Sequence, residues 1–190
     1  MVKFLVLVNL IKIRLNKRIV HKGGARFRGF IRIKIDKNGK LILGKNVVIV
    51  SGMMLNILGK NICSAIRVDS NATLQIGNNA GISNTTLWAH NKVIIGDNVK
   101  IGADCLIFDS DGHSTDNLLR RSAKTDSAHS NSAPIIIEED AFIGARCIIT
   151  KGVTIGARSI VAAGSVVTKS IPSDEVWGGN PAKHIKMING

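Results

Sequence analysis

Aliphatic residues return at every sixth position through the second half of the chain. Ile95-Gly96, Ile101-Gly102 and Ile107 form a first run. Ile137, Ile143-Gly144, Ile149, Ile155-Gly156, Val161 and Val167 form a second, six consecutive hexads from 137 to 172. The fifth position of these units is small or β-branched: Val99, Cys105, Ala141, Cys147, Val153, Ser159, Ser165. Upstream the pattern loosens, with Leu43-Gly44, Leu58-Gly59 and Ile76-Gly77 as leads; 58 to 76 and 76 to 95 each read as three hexads. A short fixed period marks a repeat architecture in which no unit buries its own face and stacking neighbours supply the core. Each hexad predicts a short strand and a turn: the lead points inward, and the Gly or Asn beside it lets the backbone bend. Three hexads close a triangular coil, and successive coils hydrogen-bond at about 4.8 Å. Residues 31–36 alternate Ile31, Ile33 and Ile35 with Arg32, Lys34 and Asp36, a period of two that predicts a half-exposed strand in an N-terminal cap.

Composition narrows the class. The chain has 190 residues, one domain's worth, and 45 % of them are hydrophobic, which suits a packed core. Aromatic residues are only 4 % with no tyrosine, while there are 28 isoleucines and 19 glycines, which points to stacked strands rather than a helical bundle. Three prolines and three cysteines exclude collagen-like and disulfide-framework chains. The opening MVKFLVLVNLIKIRLNKR is apolar but broken by Lys3, Lys12 and Arg14, and no small-residue cleavage site follows. A cytoplasmic chain with free thiols is expected.

Charge is concentrated at one end. Residues 1–40 hold 12 Lys and Arg against Asp36 alone, for +11 of the total +13. The expected organisation is therefore a basic cap over 1–40, a repeat domain over 41–172 and a C-terminal segment over 173–190. The basic cap is either a solvated surface or a patch that leans on an anionic membrane, at the inner face. Nucleic acid is not expected, since no aromatic platform is interleaved with the basic residues.

The repeat IGARCIITKGVTIGARSIVAAGSVVTKSIP and the closing VWGGNPAKHIK resemble the hexapeptide-repeat acyltransferases, most of all the sugar and polysaccharide O-acetyltransferases related to the maltose and galactoside acetyltransferases. The resemblance covers about residues 41–188. It implies an all-β fold, a left-handed parallel β-helix, although the general crossover rule favours the opposite hand. It also implies a homotrimer with active sites between subunits, and acetyl-CoA as co-substrate.

From Ile95 to Ile137 the repeat is interrupted by one coil plus a polar excursion over about 113–136 that carries no hexads. A long loop of this kind inside a compact domain is usually functional. At its root stand Asp109-Ser110-Asp111-Gly112-His113. The resemblance makes His113 the catalytic base, taking the proton of a substrate hydroxyl that attacks the thioester. Asp109 or Asp111 would orient the ring, and both also suit a turn. Asn84 falls where relatives contact the sugar acceptor and equally suits a coil corner; Trp88 is a sugar-stacking wall or a subunit contact. Ala145 and Ala163 fall where the family contacts the pantetheine arm by backbone, and Thr168 and Lys169 near its nucleotide end. Lys183 and Lys186 fall on phosphate-facing positions held by arginine in relatives, which leaves a point-charge role. Phe142 packs near the cofactor or in the core. Arg120, Arg121 and His129 in the excursion either reach a neighbouring site or are solvated.

Alternatives remain within and outside catalysis. N-acetylation of an amino sugar or a xenobiotic needs only a different acceptor pocket. A non-catalytic β-solenoid scaffold would need neither the acid-flanked histidine nor the closing lysines. Cys105 and Cys147 occupy the small interior position, which suits packing rather than nucleophilic attack. His21, His90, His113, His129 and His184 show no short ligand spacing, so no metal is expected.

Overall fold

The computed structural model describes residues 16–52, 55–59 and 63–188. The leading apolar and basic run, residues 1–15, lies outside the described residues. The remainder winds into a three-faced prism. Its first face stacks Ile19–His21, Lys40–Leu43, Thr73–Ile76, Lys92–Ile95, Ile135–Ile137 and Thr154–Ile155. The second runs through Arg26–Arg28, Val48–Val50, Gly81–Ser83, Lys100–Ile101, Phe142–Ile143 and Ile160–Val161, and ends in the hairpin Glu175–Gly179 and Ala182–Met187. Arg32–Ile35, Ala65–Val68, Thr86–Ala89, Leu106–Phe108, Ile148–Ile149 and Val166–Val167 make the third. Strands of successive coils pair in parallel on every face, and the closing hairpin is antiparallel.

The register places equivalent leads above one another. On the first face Leu43, Ile76, Ile95, Ile137 and Ile155 form one column, all fully buried. A buried branched side chain stacked on its like fills the narrow prism without rings, which is why the aromatic content is so low. At one corner the turn residues Asn46, Asn79 and Asn98 have left-handed backbone, φ near 60°, which asparagine tolerates better than other non-glycine residues. Their side-chain amides hydrogen-bond along the stack, Asn46 Nδ2 to Asn79 Oδ1 and Asn79 Nδ2 to Asn98 Oδ1.

Where a lead is followed by glycine, the reason is close approach. A Cβ on Gly144 would lie 2.5 Å from the backbone nitrogen of Ala163 in the next coil. Gly144→Ala therefore forces two coils apart; a loss of about 1–3 kcal/mol is expected, read as a lower thermal midpoint.

Two expectations change here. Leu58-Gly59 is not a repeat lead: Leu43 pairs directly with Ile76, and Leu58 sits exposed on the single helical turn Ile57–Gly59. Its 18-residue distance from Ile76 matches one coil length by coincidence, inside an excursion between the second and third faces. The strand expected in a separate cap, Arg32–Ile35, pairs in parallel with Ala65–Val68, so residues 19–35 already form a coil of the prism.

Candidate active site

The chain leaves the third face after Leu106–Phe108 at Asp109, which is fully buried. Its carboxylate accepts the backbone N–H groups of His90, Asn91 and Lys92 at 2.6, 2.9 and 2.5 Å. Those amides lie at a corner that the β-ladders leave unpaired, and the charge satisfies all three. Asp109→Ala is expected to cost about 1–3 kcal/mol, since it removes a buried side chain that caps three part-buried donors; calorimetric unfolding measures it.

Beyond Asp109 the excursion has structure of its own. Ser110–Ser114 pairs antiparallel with Ser130–Ser132, and the connection carries the turn Leu119–Arg121 and the short helix Ala123–Ala128. Gly112 takes a left-handed φ of 74° in the first arm. The Ala133 N–H donates to the Asp109 carbonyl, closing the base. The excursion thus spans 110–133 rather than 113–136, because Ile135 has already rejoined the first face beside Val93.

The hairpin fixes His113. Its Nδ1 lies 2.6 Å from Asp126 Oδ2, and the other carboxylate oxygen accepts the Ser114 N–H at 2.6 Å. The hydrogen bonds from His113 and Ser114 hold the Asp126 carboxyl below the usual carboxylate range. An ionised carboxylate only accepts, so Nδ1 carries the proton and the Nε2 lone pair is free. The ring is 72 % exposed, open to an approaching substrate. Arg120 holds the same turn by donating to the Ser114 carbonyl.

The two carboxylates expected to orient this ring are engaged elsewhere. Asp109 is committed to the corner amides, and Asp111 pairs with Lys151 at 2.7 Å. Asp126, the actual partner, gave no signal in the sequence; thirteen residues separate it from His113 and only the folded hairpin joins them.

A second histidine–carboxylate pair, also missed, faces the hairpin root. Asp69 accepts from His90 Nδ1 at 2.8 Å, Trp88 Nε1 at 2.9 Å and Arg67 Nε at 2.7 Å. Burial alone would raise the Asp69 carboxyl, but these three donors outweigh it and hold it low. Trp88 lies between the Arg67 guanidinium, 4.3 Å from its ring centre, and Phe108, stacked at 4.4 Å. Both ring faces are therefore covered, and Trp88 presents only an edge. With Gly112 and Ser130 these groups line a pocket of about 220 Å³.

On the other side of the hairpin root runs a groove of about 470 Å³ over the third face. Leu106 and Ile148 give it an apolar floor, and Asp111, Lys151, Thr150 and Thr168 a polar rim. Such a mixture fits an amide-bearing pantetheine arm. Lys169 follows Thr168 on the exposed coil edge. Ala145 and Ala163 belong to successive coils at the corner between the second and third faces, where Gly164 N–H donates to the Ala145 carbonyl. Lys183 and Lys186 are exposed on the closing hairpin. Phe142 is not part of the groove; it lies half-exposed on the second face between Lys100 and Ile160, beside a cavity that includes Gly81 and Ile101.

Asn84 is fully buried, with a left-handed φ of 41°. Its Oδ1 accepts the Gly52 N–H and its Nδ2 donates to the Asn56 carbonyl. Both ends of its amide are thus engaged by the backbone at Gly52 and Asn56 rather than open to an acceptor. Cys105 and Cys147 are buried, and their thiols donate to the Gly144 and Ala162 carbonyls of the adjacent coil.

Comparison with known proteins agrees with this architecture. The family model for the hexapeptide repeat of succinyl-transferase matches residues 92–112 and 134–169, on both sides of the excursion. The galactoside O-acetyltransferase of Escherichia coli K12 is 38 % identical over 106 residues, 56 % of this chain and 49 % of that one. The chain spans about half the length of that curated relative. The solved galactoside acetyltransferase in complex with coenzyme A overlays with a TM-score of 0.55 at 27 % identity, covering 96 % of this chain and 70 % of the other. The N-acyltransferase AntD from Bacillus cereus, in complex with dTDP and 3-hydroxybutyryl-CoA, overlays with a TM-score of 0.70 at 18 % identity over 95 % of this chain and 87 % of its own. The prism is accordingly a left-handed parallel β-helix, and the chain carries the hexapeptide repeat over residues 92–112 and 134–169 and is similar to acetyltransferases built on it.

Proposed function

We propose that this protein transfers the acetyl group of acetyl-CoA to a sugar hydroxyl, with His113 as general base. The observation that carries the reading is the His113–Asp126 pair, with Nε2 free on the hairpin arm two residues beyond Asp111, which lines the third-face groove. Acetyl-CoA supplies the acyl group as a thioester. Nε2 accepts the proton of the acceptor hydroxyl, whose oxygen bonds to the acyl carbon; the carbon–sulfur bond breaks, and the imidazolium returns the proton to the thiolate. Asp126 keeps the ring in the required tautomer and stabilises it while charged.

The groove takes the pantetheine arm, with Thr168 and Lys151 at its polar rim and the backbone at Ala145 and Ala163 farther along. Lys169, Lys183 and Lys186 serve the phosphates as point charges. The smaller pocket takes the acceptor, where the Trp88 edge, the His90 Nε2 and the Ser130 hydroxyl offer contacts to a polar ring. The likeness to galactoside acetyltransferases supports a sugar, and surface polysaccharide or lipopolysaccharide precursors are the class we favour. A cytoplasmic homotrimer belongs to this reading, as the family resemblance implies.

A panel of hydroxyl and amine acceptors, followed by free thiol release from acetyl-CoA, tests the proposal. Turnover with sugar hydroxyls is expected. Turnover confined to amines replaces O-transfer with N-acetylation, and no turnover with any acceptor favours a scaffold.

A further inference from the structure

The excursion that displaced Leu58 from the repeat has no part in the chemistry above. It leaves the second face after Val48–Val50 and rejoins the third at Ala65–Val68. Its base is tied down: Asn84 holds Gly52 and Asn56, the Ser51 hydroxyl donates to the Phe30 carbonyl, and Ser64 donates to the Val50 carbonyl. Its described tip is apolar and turned outward, with Ile57 84 %, Leu58 57 % and Leu55 42 % exposed. A firmly anchored turn that presents three aliphatic side chains to water is costly to leave uncovered.

The surroundings indicate what covers it. Leu55 reaches over Gly29, next to Arg28. Arg26 and Arg28 stand exposed on the second face before the excursion, and Arg32 pairs with Ala65 where the excursion returns. None of these three arginines has a carboxylate partner among the described residues; Asp36, the single acid of the first forty residues, is taken by Lys34. Three side chains are far too little for a stable protein interface, which needs about 800 Å² from each partner. A second copy would also bring its own excess of arginine and lysine to the same place.

We infer that this end of the prism docks on an anionic lipid bilayer, with Ile57 and Leu58 in the interfacial region and Arg26, Arg28 and Arg32 against lipid phosphates. An apolar tip ringed by cations gains from both the acyl boundary and the negative surface potential. Docking of this kind leaves the His113 hairpin, which emerges two coils farther along the prism, facing lipid-linked or soluble acceptors alike.

Flotation of the full chain with vesicles tests the inference without reference to acetyl transfer. Vesicles of phosphatidylcholine with phosphatidylglycerol are expected to carry the protein upward, and those of phosphatidylcholine alone are not. The variants Ile57→Ser with Leu58→Ser, and Arg26→Gln with Arg28→Gln and Arg32→Gln, are each expected to lower the partition coefficient by about tenfold or more. All five positions are exposed, and circular dichroism with light scattering checks that fold and mass are kept. Three results would overturn it: no flotation of the wild type at low salt, flotation undiminished in both variants, or a change of mass in the apolar variant with vesicle binding intact. The second places the contact elsewhere in the chain, and the third assigns the tip to a second copy of the protein.

Discussion

His113→Ala is expected to lower acetyl transfer by about 10²–10⁴-fold, the usual worth of a positioned general base. The loss should fall on kcat, because the ring touches the reacting hydroxyl rather than anchoring either substrate. Stability should hardly move: the side chain is 72 % exposed, and its one partner, Asp126, keeps the Ser114 N–H. An unchanged thermal midpoint with a collapsed kcat is therefore the signature. A variant with undiminished turnover would remove His113 from the mechanism and make His90, the other histidine with a carboxylate on Nδ1, the next residue to test.

Asp126→Asn is expected to cost nearly as much, about 10²-fold or more, for a different reason. The asparagine amide can donate to Nδ1, which moves the ring proton to Nε2 and leaves no lone pair for the hydroxyl. The same change alters the response to acid. Because its folded value is depressed, Asp126 contributes stability above the ordinary carboxylate range and loses it as pH falls through the lowered value. Cleavage of the 115–129 connection by an acid-tolerant protease should rise over that window in the wild type. In Asp126→Asn the amide still meets Nδ1 and the Ser114 N–H but does not titrate, so cleavage should stay flat over that window, and a wild-type pH response in the variant would count against the clamp. The two variants also separate roles: Asp126 acts through the ring, so added imidazole is expected to restore part of the activity lost by His113→Ala and none of that lost by Asp126→Asn.

The excursions show where linear reading succeeds and where it stops. Ile137, Ile143, Ile149, Ile155, Val161 and Val167 are legible because a strict period of six leaves one inward direction per unit. Leu58 misled because spacing alone cannot tell a lead from an apolar residue on a projecting turn; it lacks a strand partner, and pairing is a long-range fact. His113 stood out by resemblance, while its partner did not, since Asp109 and Asp111 were nearer along the chain. Proximity in sequence is a poor guide on a hairpin, where residue 126 folds back over residue 113 and residue 109 turns inward. Asn84 illustrates the converse: the resemblance puts it at an acceptor contact, yet the backbone at Gly52 and Asn56 engages both ends of its amide.

By itself the sequence determined the coil, because a six-residue alternation of aliphatic lead and turn residue can bury its leads only by stacking on copies of itself. It also concentrated the positive charge at the leading end and marked the break in the repeat from which the hairpin emerges. Tertiary structure alone decided which carboxylate meets His113, that Arg67, Asp69, Trp88 and His90 share one pocket, and that the apolar tip at Ile57 stands beside arginines with no carboxylate partner among the described residues. Those choices depend on hydrogen bonds and side-chain packing between residues tens of positions apart, and a local period carries no information about them.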